Sequence, residues 1–428
     1  MMATLKPLRG LRYNTEKIAI SEVIAPPYDV ISPEAREKLY RLNQHNVVRL
    51  ILGKDDPADN ETSNRYTRAK AFLENWMREG VLVQDEKPCL YLYEQIFRHP
   101  LTGKDEIRRA LFTLLKLETM GEGVVFPHEK TYAKPKADRL QLLKQTHANL
   151  SPVFGLYEDE SGVVNKTLAP FFSKPSLFEA KDEEGVTHRF WKMADSAAID
   201  QVTAAFRSKK IVLADGHHRY ETALNHRNEK GRGGESPCDF VLISLVDIHD
   251  PGLLVLPTHR LLKKPAGYNP ETFLKNLSVY FDLVKIKRES VMSEVDGLSA
   301  ADKGFALYLG GNEIYLAKLK SLDAVKRFAP KGKSEEWAGL EVSLLSYVVL
   351  EKVLGLGEEV FEDLLGYTRS DAEALQKVDS GEFPMAFIMR SIPVDEIRKV
   401  CERKDLLPHK STYFYPKLAS GLVFYSHT

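Results

Sequence analysis

One stretch of the chain, IVLADGHHRYETAL at residues 211–224, constrains the fold more than any other. An apolar run stops at Asp215-Gly216 and continues as a helical pattern, which predicts a strand followed directly by a helix. Such a turn places the amino end of the helix, with its unpaired N–H groups and partial positive charge, at the edge of a sheet. Gly216 permits a positive φ or a close approach of the backbone to a ligand.

Three side chains at this turn have the chemistry of an anion site. Arg219 carries a planar fork of donors that suits phosphate oxygens, and His217 and His218 can donate hydrogen bonds. The pattern therefore predicts a site for nucleotide phosphates. The alternative is a surface turn in which Asp215 caps the helix and the histidines are incidental. A metal site is less favoured, because consecutive side chains diverge.

A second stretch, VVFPHEKTYAKPKADR, indicates a catalytic carboxylate. Glu129 follows the end of a predicted strand, and a carboxylate beside a phosphate site is what a general base for a hydroxyl nucleophile requires. Charge runs are usually solvated surface features, so an exposed loop is the alternative. The cations around Glu129 are His128, Lys130, Lys134, Lys136 and Arg139.

Composition narrows the class of protein. The 428 residues are too many for one ordinary core, and Lys+Arg and Asp+Glu both number 60. This balance argues against a protein that mainly coats nucleic acid. No apolar run approaches the roughly 20 residues needed to cross a bilayer. Three separate cysteines without a CxxC pair indicate isolated thiols in a reducing compartment, not a disulfide scaffold or a zinc site, so we expect a cytoplasmic protein.

The order of predicted elements indicates an α+β fold in three segments. We expect an N-terminal α/β region over 1–120, a core over 121–266 that contains both motifs, and a C-terminal α+β lobe over 267–428. The pattern of HNVVRLILG predicts a buried strand. CLYLYEQIF and IRRALFTLLKLE predict two strands joined by a hairpin-like connection, and LEVSLLSYVVLEKVLG predicts an apolar helix.

Two further polar groups are weaker candidates. Thr258, His259 and Arg260 interrupt an otherwise apolar strand, where satisfied structural hydrogen bonds are the alternative. In PHKSTYFYPK, Lys410, Ser411, Thr412 and Lys417 lie among aromatic residues, where an exposed edge strand is the alternative. The chain has no Walker A loop, no GxGxxG and no kinase catalytic-loop pattern.

Seven motifs taken together resemble the prokaryotic family called domain of unknown function 1015. The resemblance covers essentially the whole chain, with the motifs in the same order, and that family has no settled activity. The motifs are APPYDVIS, FPHEKT, ADRLQLL, NLSPVFGLY, VLADGHHRYETAL, LPTHRLL and STYFYPKLASGLV.

Parts of the chain also resemble the free serine kinase of archaea, a relative of the ParB and sulfiredoxin proteins. That kinase has a Pro-His-Glu motif whose Glu is the base for the serine hydroxyl, and Pro127-His128-Glu129 is similar. Its Asp-Gly-His-His-Arg phosphate motif is similar to Asp215–Arg219, residue for residue. Its Lys-Thr-Thr-Arg-His motif resembles Lys410–Thr412 in kind, but Tyr413 and Phe414 depart from it.

The resemblance implies a ParB/sulfiredoxin-like nucleotide-binding core and an ATP- or ADP-dependent phosphotransferase for a small hydroxylated acceptor. Glu129 would be the base, and Asp215 would orient the loop or contact Mg²⁺. The implied phosphate-binding residues are Gly216, His217, His218, Arg219, Lys410, Ser411 and Thr412, and the substrate-binding ones are His128, Arg139, Thr258, His259 and Arg260.

The relatives also exclude some functions and leave others open. His217 replaces the reactive cysteine of sulfiredoxin, so peroxiredoxin chemistry is not expected, and no helix-turn-helix reader like that of ParB proteins is found. Two rivals to the kinase hypothesis remain. One is a nucleotide-binding switch or partner-binding protein with little or no turnover, and the other is a metal-dependent hydrolase or nuclease that uses Asp215 and the histidines.

Overall fold

The computed structural model describes residues 2–131, 133–231, 235–299 and 301–427, and within these ranges all side chains but those of Ala133, Lys134 and Glu362. The cation expected at Lys134 therefore lies outside the described side chains. The described residues form two compact units. Unit 1 consists of residues 1–254 and 416–428, and unit 2 of residues 255–415.

The strands are short in both units and alternate with helices along the chain. In chain order they are β1 Leu5–Lys6, β2 Leu11–Tyr13, β3 Leu82–Gln84, β4 Leu90–Arg98, β5 Asp105–Lys116, β6 Val125–Phe126, β7 Ala148–Asn149, β8 Val153–Tyr157, β9 Phe178–Lys181, β10 Thr187–Met193, β11 Ile211–Asp215, β12 Phe240–Asp247, β13 Leu254–Leu256, β14 His259–Leu262, β15 Phe281–Lys285, β16 Gly304–Tyr308, β17 Ile314–Leu319, β18 Leu365–Thr368, β19 Met385–Ile388, β20 Tyr413–Tyr415 and β21 Tyr425–Ser426.

The α-helices are α1 Ile20–Val23, α2 Pro33–Leu42, α3 Val48–Ile51, α4 Arg65–Arg78, α5 Ala133–Thr146, α6 Val163–Phe172, α7 Ser196–Phe206, α8 His217–Lys230, α9 Pro270–Leu277, α10 Val291–Asp296, α11 Leu322–Val325, α12 Glu335–Ala338, α13 Glu341–Leu344, α14 Phe361–Leu364, α15 Asp371–Asp379 and α16 Val394–Glu402. Short 3₁₀ turns cover Tyr28–Val30, Pro237–Asp239, Arg288–Ser290, Lys326–Phe328 and Glu358–Val360, and a π-helical segment covers Leu345–Val353.

Unit 1 is built on a nine-stranded sheet in the order β6-β11-β8-β12-β5-β4-β10-β9, with β1 added beside β5. Most neighbours are antiparallel, but β11 runs parallel to β6 and β12 runs parallel to β8. The predicted hairpin is confirmed, because β4 and β5 pair antiparallel from Tyr91↔Phe112 to Arg98↔Asp105. Helices α7 and α8 bury Val202, Phe206 and Tyr220 in the core of this sheet.

The end of the chain returns to unit 1. Strand β21 pairs with β7, and Phe424 forms an isolated bridge with Leu11. The Gln95 side chain donates a hydrogen bond of 3.0 Å to the carbonyl of Lys417. These contacts hold residues 416–427 against strands that lie hundreds of positions earlier in the sequence.

One strand prediction is wrong. HNVVRLILG contains helix α3 rather than a buried strand, and the cause is Asn46. Its side-chain oxygen accepts the N–H of Val48 at 2.9 Å, and its amide donates to the carbonyls of Glu22 and Ile24. A buried Asn side chain that accepts the backbone N–H two residues ahead favours a turn over a paired β-strand. The apolar residues of HNVVRLILG would suit a buried helix as well as a buried strand.

Unit 2 contains a six-stranded sheet in the order β15-β17-β16-β19-β14-β18, and its neighbouring strands pair antiparallel. Its core combines residues of α10 and α15, among them Val295 and Leu375, with Ala306 and Ile388 of the sheet. The apolar helix predicted near residue 345 is present as α13 followed by the π-helical segment.

The predicted α+β class is confirmed, since helices accompany several sheets in the described residues. The two units differ in extent from the segments 1–120, 121–266 and 267–428, because residues on both sides of position 120 contribute strands to one sheet and residues 416–428 belong to unit 1. Among the described residues, no helix is both long and apolar enough to cross a membrane.

Candidate functional site

Two parallel strands of unit 1 bring the predicted motifs to the same sheet edge. Strand β11 ends at Asp215, and its neighbour β6 ends at Phe126 just before Pro127-His128-Glu129, with Val212 opposite Phe126. Because parallel strands end at the same edge, the two motifs meet although they are far apart in sequence. A register shift against β8 between Leu213 and Asp215 marks a bulge, which re-aims the last side chain of β11.

Gly216 joins the strand to helix α8 in the predicted way. It is the N-cap, with φ +83° and ψ 25°, a left-handed conformation that favours glycine. A β-carbon at this position would lie 3.0 Å from Nε of Arg219 and 3.1 Å from its Nη2. The glycine therefore serves two purposes: it makes the sharp turn, and it leaves space for the guanidinium beside the amino end of α8.

Asp215 lies between two cations. Lys417 Nζ donates to its Oδ2 at 2.6 Å, and Arg219 Nη2 approaches its Oδ1 at 3.4 Å. Burial alone would raise the pKa of Asp215, but the charges of Lys417 and Arg219 hold it well below its usual range. Burial, and next the charge of Asp215, raise the pKa of the nearby Asp29. The carboxylate of Asp215 is thus ionised and already neutralised by its neighbours.

His128, Glu129 and His217 form a compact cluster. The imidazole rings of His128 and His217 meet edge to face with centroids 4.6 Å apart. His128 Nδ1 bonds the carbonyl of Leu213 at 2.6 Å, and the His128 N–H donates to Nε2 of His217 at 3.2 Å. Because Nε2 of His217 accepts this hydrogen bond, a neutral His217 carries its proton on Nδ1. Nδ1 lies 3.2 Å from Glu129 Oε1.

The electrostatics of this cluster keep the Glu129 carboxylate charged and the His128 imidazole neutral. Burial lowers the pKa of His128 to about 4 and also lowers that of His218. Burial alone would raise the pKa of Glu129, but the hydrogen bond from His217 and the neighbouring ring of His128 hold it below its usual range. The side chain of Glu129 remains 38% exposed, so an incoming polar group can reach it.

A cleft opens beside Arg219, with about 470 Å³ of space that is continuous with solvent. Arg139 and Tyr28 line it, and the guanidinium of Arg139 stacks 3.9 Å above the Tyr28 ring. Arg139 also donates to the carbonyl of Ile51 at 2.8 Å and is paired with Asp138. Its lining also includes apolar side chains, among them Leu142 and Leu150. The cleft thus combines two guanidinium groups with a surface able to contact a ring.

Two lysines of the Pro127-His128-Glu129 stretch, Lys130 and Lys136, lie outside the cleft that Arg139 lines. Lys136 Nζ lies 2.8 Å from Glu221 of helix α8, so its charge is compensated, whereas Lys130 is exposed. Neither of these lysines lines the cleft beside Arg219.

The weaker candidates for substrate and phosphate binding, Thr258–Arg260 and Lys410–Thr412, belong to unit 2. Arg260 is buried and donates to the carbonyl of Thr258 at 2.6 Å and to that of Lys410 at 3.5 Å. His259 Nδ1 accepts the N–H of Met389 at 3.1 Å. Burial lowers the pKa of His259 to about 4 and that of Arg260 to about 10. These bonds match the structural alternative that the sequence left open for Thr258, His259 and Arg260.

The side chains of the Lys410–Thr412 motif contact residues of unit 2. Lys410 has φ +53°, and its ammonium lies 4.5 Å from the centroid of the Tyr367 ring. The Ser411 hydroxyl donates to the carbonyl of Pro408, and Thr412 is partly buried. Among the described residues, unit 1 therefore assembles His128, Glu129, Arg139 and Asp215–Arg219, while Thr258–Arg260 and Lys410–Thr412 lie in unit 2.

Sequence reasoning missed Tyr28 and Asp29, and it named Lys417 only as a polar residue among aromatics, without a place beside Asp215. Lys417 pairs with Asp215, Asp29 lies close enough for their charges to interact, and Tyr28 stacks on Arg139. Both segments had been noticed as motifs, APPYDVIS and STYFYPKLASGLV, but no local pattern shows that they converge on Asp215. A charged residue inside an otherwise aromatic motif was the available signal for Lys417.

The His128, Glu129 and His217 cluster has one metal-binding feature: a ligand atom of each residue lies within 4.8 Å of the other two. However, Nε2 of His217 accepts a backbone N–H and Nδ1 of His128 bonds a carbonyl. These bonds use one nitrogen of each ring, and the other nitrogen of His217, Nδ1, faces Glu129 Oε1 at 3.2 Å. Asp215, with both oxygens near cations, is a poor metal ligand.

Comparison with known proteins identifies a family. Residues 5–343 match the family described as "Protein of unknown function (DUF1015)". No curated protein matches the chain.

Several solved structures are similar at a low level. A conserved hypothetical protein from Pyrococcus furiosus is 14% identical with a TM-score of 0.35, and the match covers 73% of this chain and 94% of that one. Free serine kinase in complex with AMP is 13% identical with a TM-score of 0.35 and coverages of 73% and 92%. SbnI with a C-terminal truncation, from Staphylococcus aureus, is 9% identical with a TM-score of 0.36 and coverages of 73% and 86%. TM-scores of this size do not establish a shared fold.

Proposed function

The chain belongs to the DUF1015 family, and we propose that it is a phosphotransferase that moves a nucleotide phosphoryl group to a small hydroxylated acceptor. The observation that carries this proposal is the meeting of two motifs at one sheet edge. Parallel strands β6 and β11 deliver an ionised, partly exposed Glu129 and the amino end of α8 with Arg219 to the same place. We assign the site to a ParB/sulfiredoxin-like core, on the resemblance of these motifs.

The nucleotide phosphates bind at the amino end of α8. Gly216 contributes no side chain to cap the helix, so the first-turn N–H groups can donate to an anion, and the helix dipole favours negative charge there. Arg219 is placed to add a charge-assisted bond from beside the turn. The cleft lined by Arg139 and Tyr28 is adjacent to Arg219, and it is where the nucleoside part of the ligand would lie.

In the proposed mechanism, Asp215 contacts Lys417 and Arg219 and does not itself contact the substrate. Because Lys417 and Arg219 already neutralise its carboxylate, it positions these two cations instead of holding Mg²⁺. A magnesium ion that arrives with ATP would be bound mainly by phosphate oxygens and water, as Mg²⁺ commonly is. Its charge would help to neutralise the transferred group.

Glu129 is the base for the acceptor. The hydroxyl oxygen forms a bond to the terminal phosphorus, the bond to the leaving nucleotide oxygen breaks, and the hydroxyl proton passes to the carboxylate. A carboxylate with a low pKa suffices because the transition state of phosphoryl transfer is loose, so positioning and charge neutralisation contribute most. The imidazole of His217, with Nδ1 3.2 Å from Oε1, restricts the orientation of the Glu129 carboxylate.

A binding and turnover experiment on the full chain tests the proposal. Calorimetric titration should show that ATP and ADP bind and that adenosine, which lacks phosphate, binds far more weakly. ATP is then incubated with free serine, related amino acids and sugars, and products are detected by mass spectrometry.

Two results would change the conclusion. If no nucleotide binds, or if adenosine binds as tightly as ADP, the phosphate site is wrong. If ATP binds but no acceptor is phosphorylated, the second hypothesis, a nucleotide-binding switch with little or no turnover, replaces the kinase. The 3.2 Å approach of His217 Nδ1 to Glu129 favours that second hypothesis, since the imidazole competes with an acceptor hydroxyl for the same carboxylate.

A further inference from the structure

A second polar cluster lies in the interior of unit 1, and the proposed phosphotransferase makes no use of it. His226 comes from the last turns of α8, Cys238 from the 3₁₀ turn before β12, and His427 from the residue after β21. A nitrogen or sulfur atom of each lies within 4.8 Å of the other two. His226 and Cys238 are only 3% and 5% exposed.

The hydrogen bonding of this cluster is incomplete. Neither ring nitrogen of His226 has a hydrogen-bond partner among the described residues, and the same holds for Nε2 of His427. A buried imidazole usually satisfies at least one nitrogen, because burying an unpaired polar group costs free energy. The single polar contact within the cluster joins Cys238 Sγ and His427 Nδ1, which are 3.4 Å apart.

One separation within the cluster matches that of a tetrahedral metal site. With ordinary Zn–S and Zn–N bond lengths, neighbouring sulfur and nitrogen ligands are separated by roughly 3.5 Å, close to the observed 3.4 Å between Cys238 Sγ and His427 Nδ1. The ligand atom of His226 lies within 4.8 Å of both, so a small movement of its ring completes the site.

The backbone already fixes these ligands in place. The N–H of His427 donates to the carbonyl of His147 at 2.8 Å, and the hydroxyl of Tyr425 donates to the carbonyl of Pro237 at 3.0 Å. Ser236 caps the turn that carries Cys238. Preorganised ligands lose little conformational entropy when an ion binds.

The surrounding charges decide which metals fit. Lys230 lies close enough to lower the pKa of both histidines, while Lys144 is compensated by Glu229 at 2.7 Å. A cation here needs a negative ligand, which Cys238 supplies once its thiol proton has left to solvent. Thiolate and imidazole ligands favour Zn²⁺ and similar transition metals over Mg²⁺ or Ca²⁺.

We propose that His226, Cys238 and His427 form a binding site for a divalent transition metal such as Zn²⁺, separate from the nucleotide site. Three protein ligands leave a fourth tetrahedral position for water or another donor. The site ties the C-terminal strand to helix α8 and to the start of β12.

Cobalt titration of the full chain tests this site. The protein is stripped with a chelator and titrated with Co²⁺, whose bond to a thiolate gives a charge-transfer band in the near ultraviolet. We expect this band to saturate at one equivalent and to be removed by Zn²⁺. The Cys238→Ser variant should lose the band, while Cys401→Ser, which alters a buried cysteine of unit 2, should keep it.

A second variant guards against a folding defect in Cys238→Ser. His427→Gln retains the thiol and changes the penultimate residue of the chain, and it should bind Co²⁺ at least about tenfold more weakly. The proposal is overturned if wild-type protein gives no band, if the band persists in Cys238→Ser, or if His427→Gln binds as tightly as wild type. Nucleotide titration of the same variants reports on the phosphate site independently.

Discussion

The ammonium of Lys417 donates a hydrogen bond of 2.6 Å to Asp215, which lies 202 positions earlier in the chain. Both side chains are largely buried, 17% and 16% exposed, so the pair is partly desolvated. The bond fixes the carboxylate at the end of β11 and thereby the guanidinium of Arg219 on its other side. A residue of the C-terminal segment thus helps to arrange the proposed phosphate site.

Breaking this pair should destabilise the protein. We expect Lys417→Met to lower the free energy of unfolding by about 2–3 kcal/mol, because it leaves a buried carboxylate with one cation fewer. Urea denaturation measures the change. In a double-mutant cycle, Asp215→Asn/Lys417→Met should be more stable than the sum of the single changes predicts. Strict additivity would mean that the two side chains do not interact.

Because the pKa of Asp215 is depressed, we expect the free energy of unfolding to fall in acid. The pKa of Asp215 is depressed in the folded protein, so the unfolded chain binds a proton first as the pH falls. The stabilisation is therefore complete above the unfolded pKa of about 3.9 and is lost below it. Unfolding followed between pH 7 and pH 3 should show the difference between wild type and Asp215→Asn shrinking toward the acid end.

Asp29→Asn is the control for this pH dependence. The pKa of Asp29 is raised, so its contribution to stability has the opposite sign: it is present at low pH and lost as the pH rises through the folded pKa. The acid-side loss attributed to Asp215 should persist in Asp29→Asn. If it disappears there, the loss depends on the interaction between the two carboxylates and not on Asp215 with its cations alone.

Nucleotide binding should depend on Arg219. The loss of a charge-assisted bond to phosphate costs about 1.5–3 kcal/mol, so Arg219→Ala should bind ATP and ADP roughly ten- to a hundred-fold more weakly. Arg207→Ala removes an exposed arginine at the end of α7 and should bind as wild type does. Equal calorimetric affinities for all three proteins would remove Arg219 from the phosphate site.

Gly216→Ala should impair both stability and binding. A left-handed φ costs an L-residue about 1–2 kcal/mol, and the added β-carbon would also displace the Arg219 guanidinium, weakening nucleotide binding about tenfold. Gly162 is a matched control, since it is also a left-handed N-cap but has its nearest neighbour 3.6 Å away at Lys166 Cε. Gly162→Ala should lose similar stability without any change in affinity. Parallel losses of affinity would point to general unfolding.

Glu129→Gln should separate binding from turnover. Glutamine is nearly isosteric and cannot accept the proton, so kcat should fall by roughly 10²–10⁴ with little change in nucleotide affinity. Calorimetry and a phosphoryl-transfer assay on the same preparation measure both quantities. A variant that transfers phosphate at the wild-type rate would show that Glu129 is not the base.

Local features of the fold could be predicted from the sequence. The strand, glycine and helix over residues 211–230 and the hairpin of β4 and β5 are confirmed, because hydrogen bonds and steric limits within a few residues determine them. Where a local pattern was ambiguous, as in HNVVRLILG, buried hydrogen bonds of Asn46 to a distant segment decided the outcome.

The assembly of the site depended on tertiary structure. The sequence by itself determined the residues to which we assign the chemistry, Glu129 and Asp215–Arg219, and that each motif lies where a strand ends. Only the folded chain decided that β6 and β11 are parallel neighbours, that Lys417 neutralises Asp215, and that Cys238 meets His226 and His427. Contacts across tens to hundreds of positions arise from the packing of a whole unit, and no pattern within a few residues encodes which distant partner will be buried beside a given side chain.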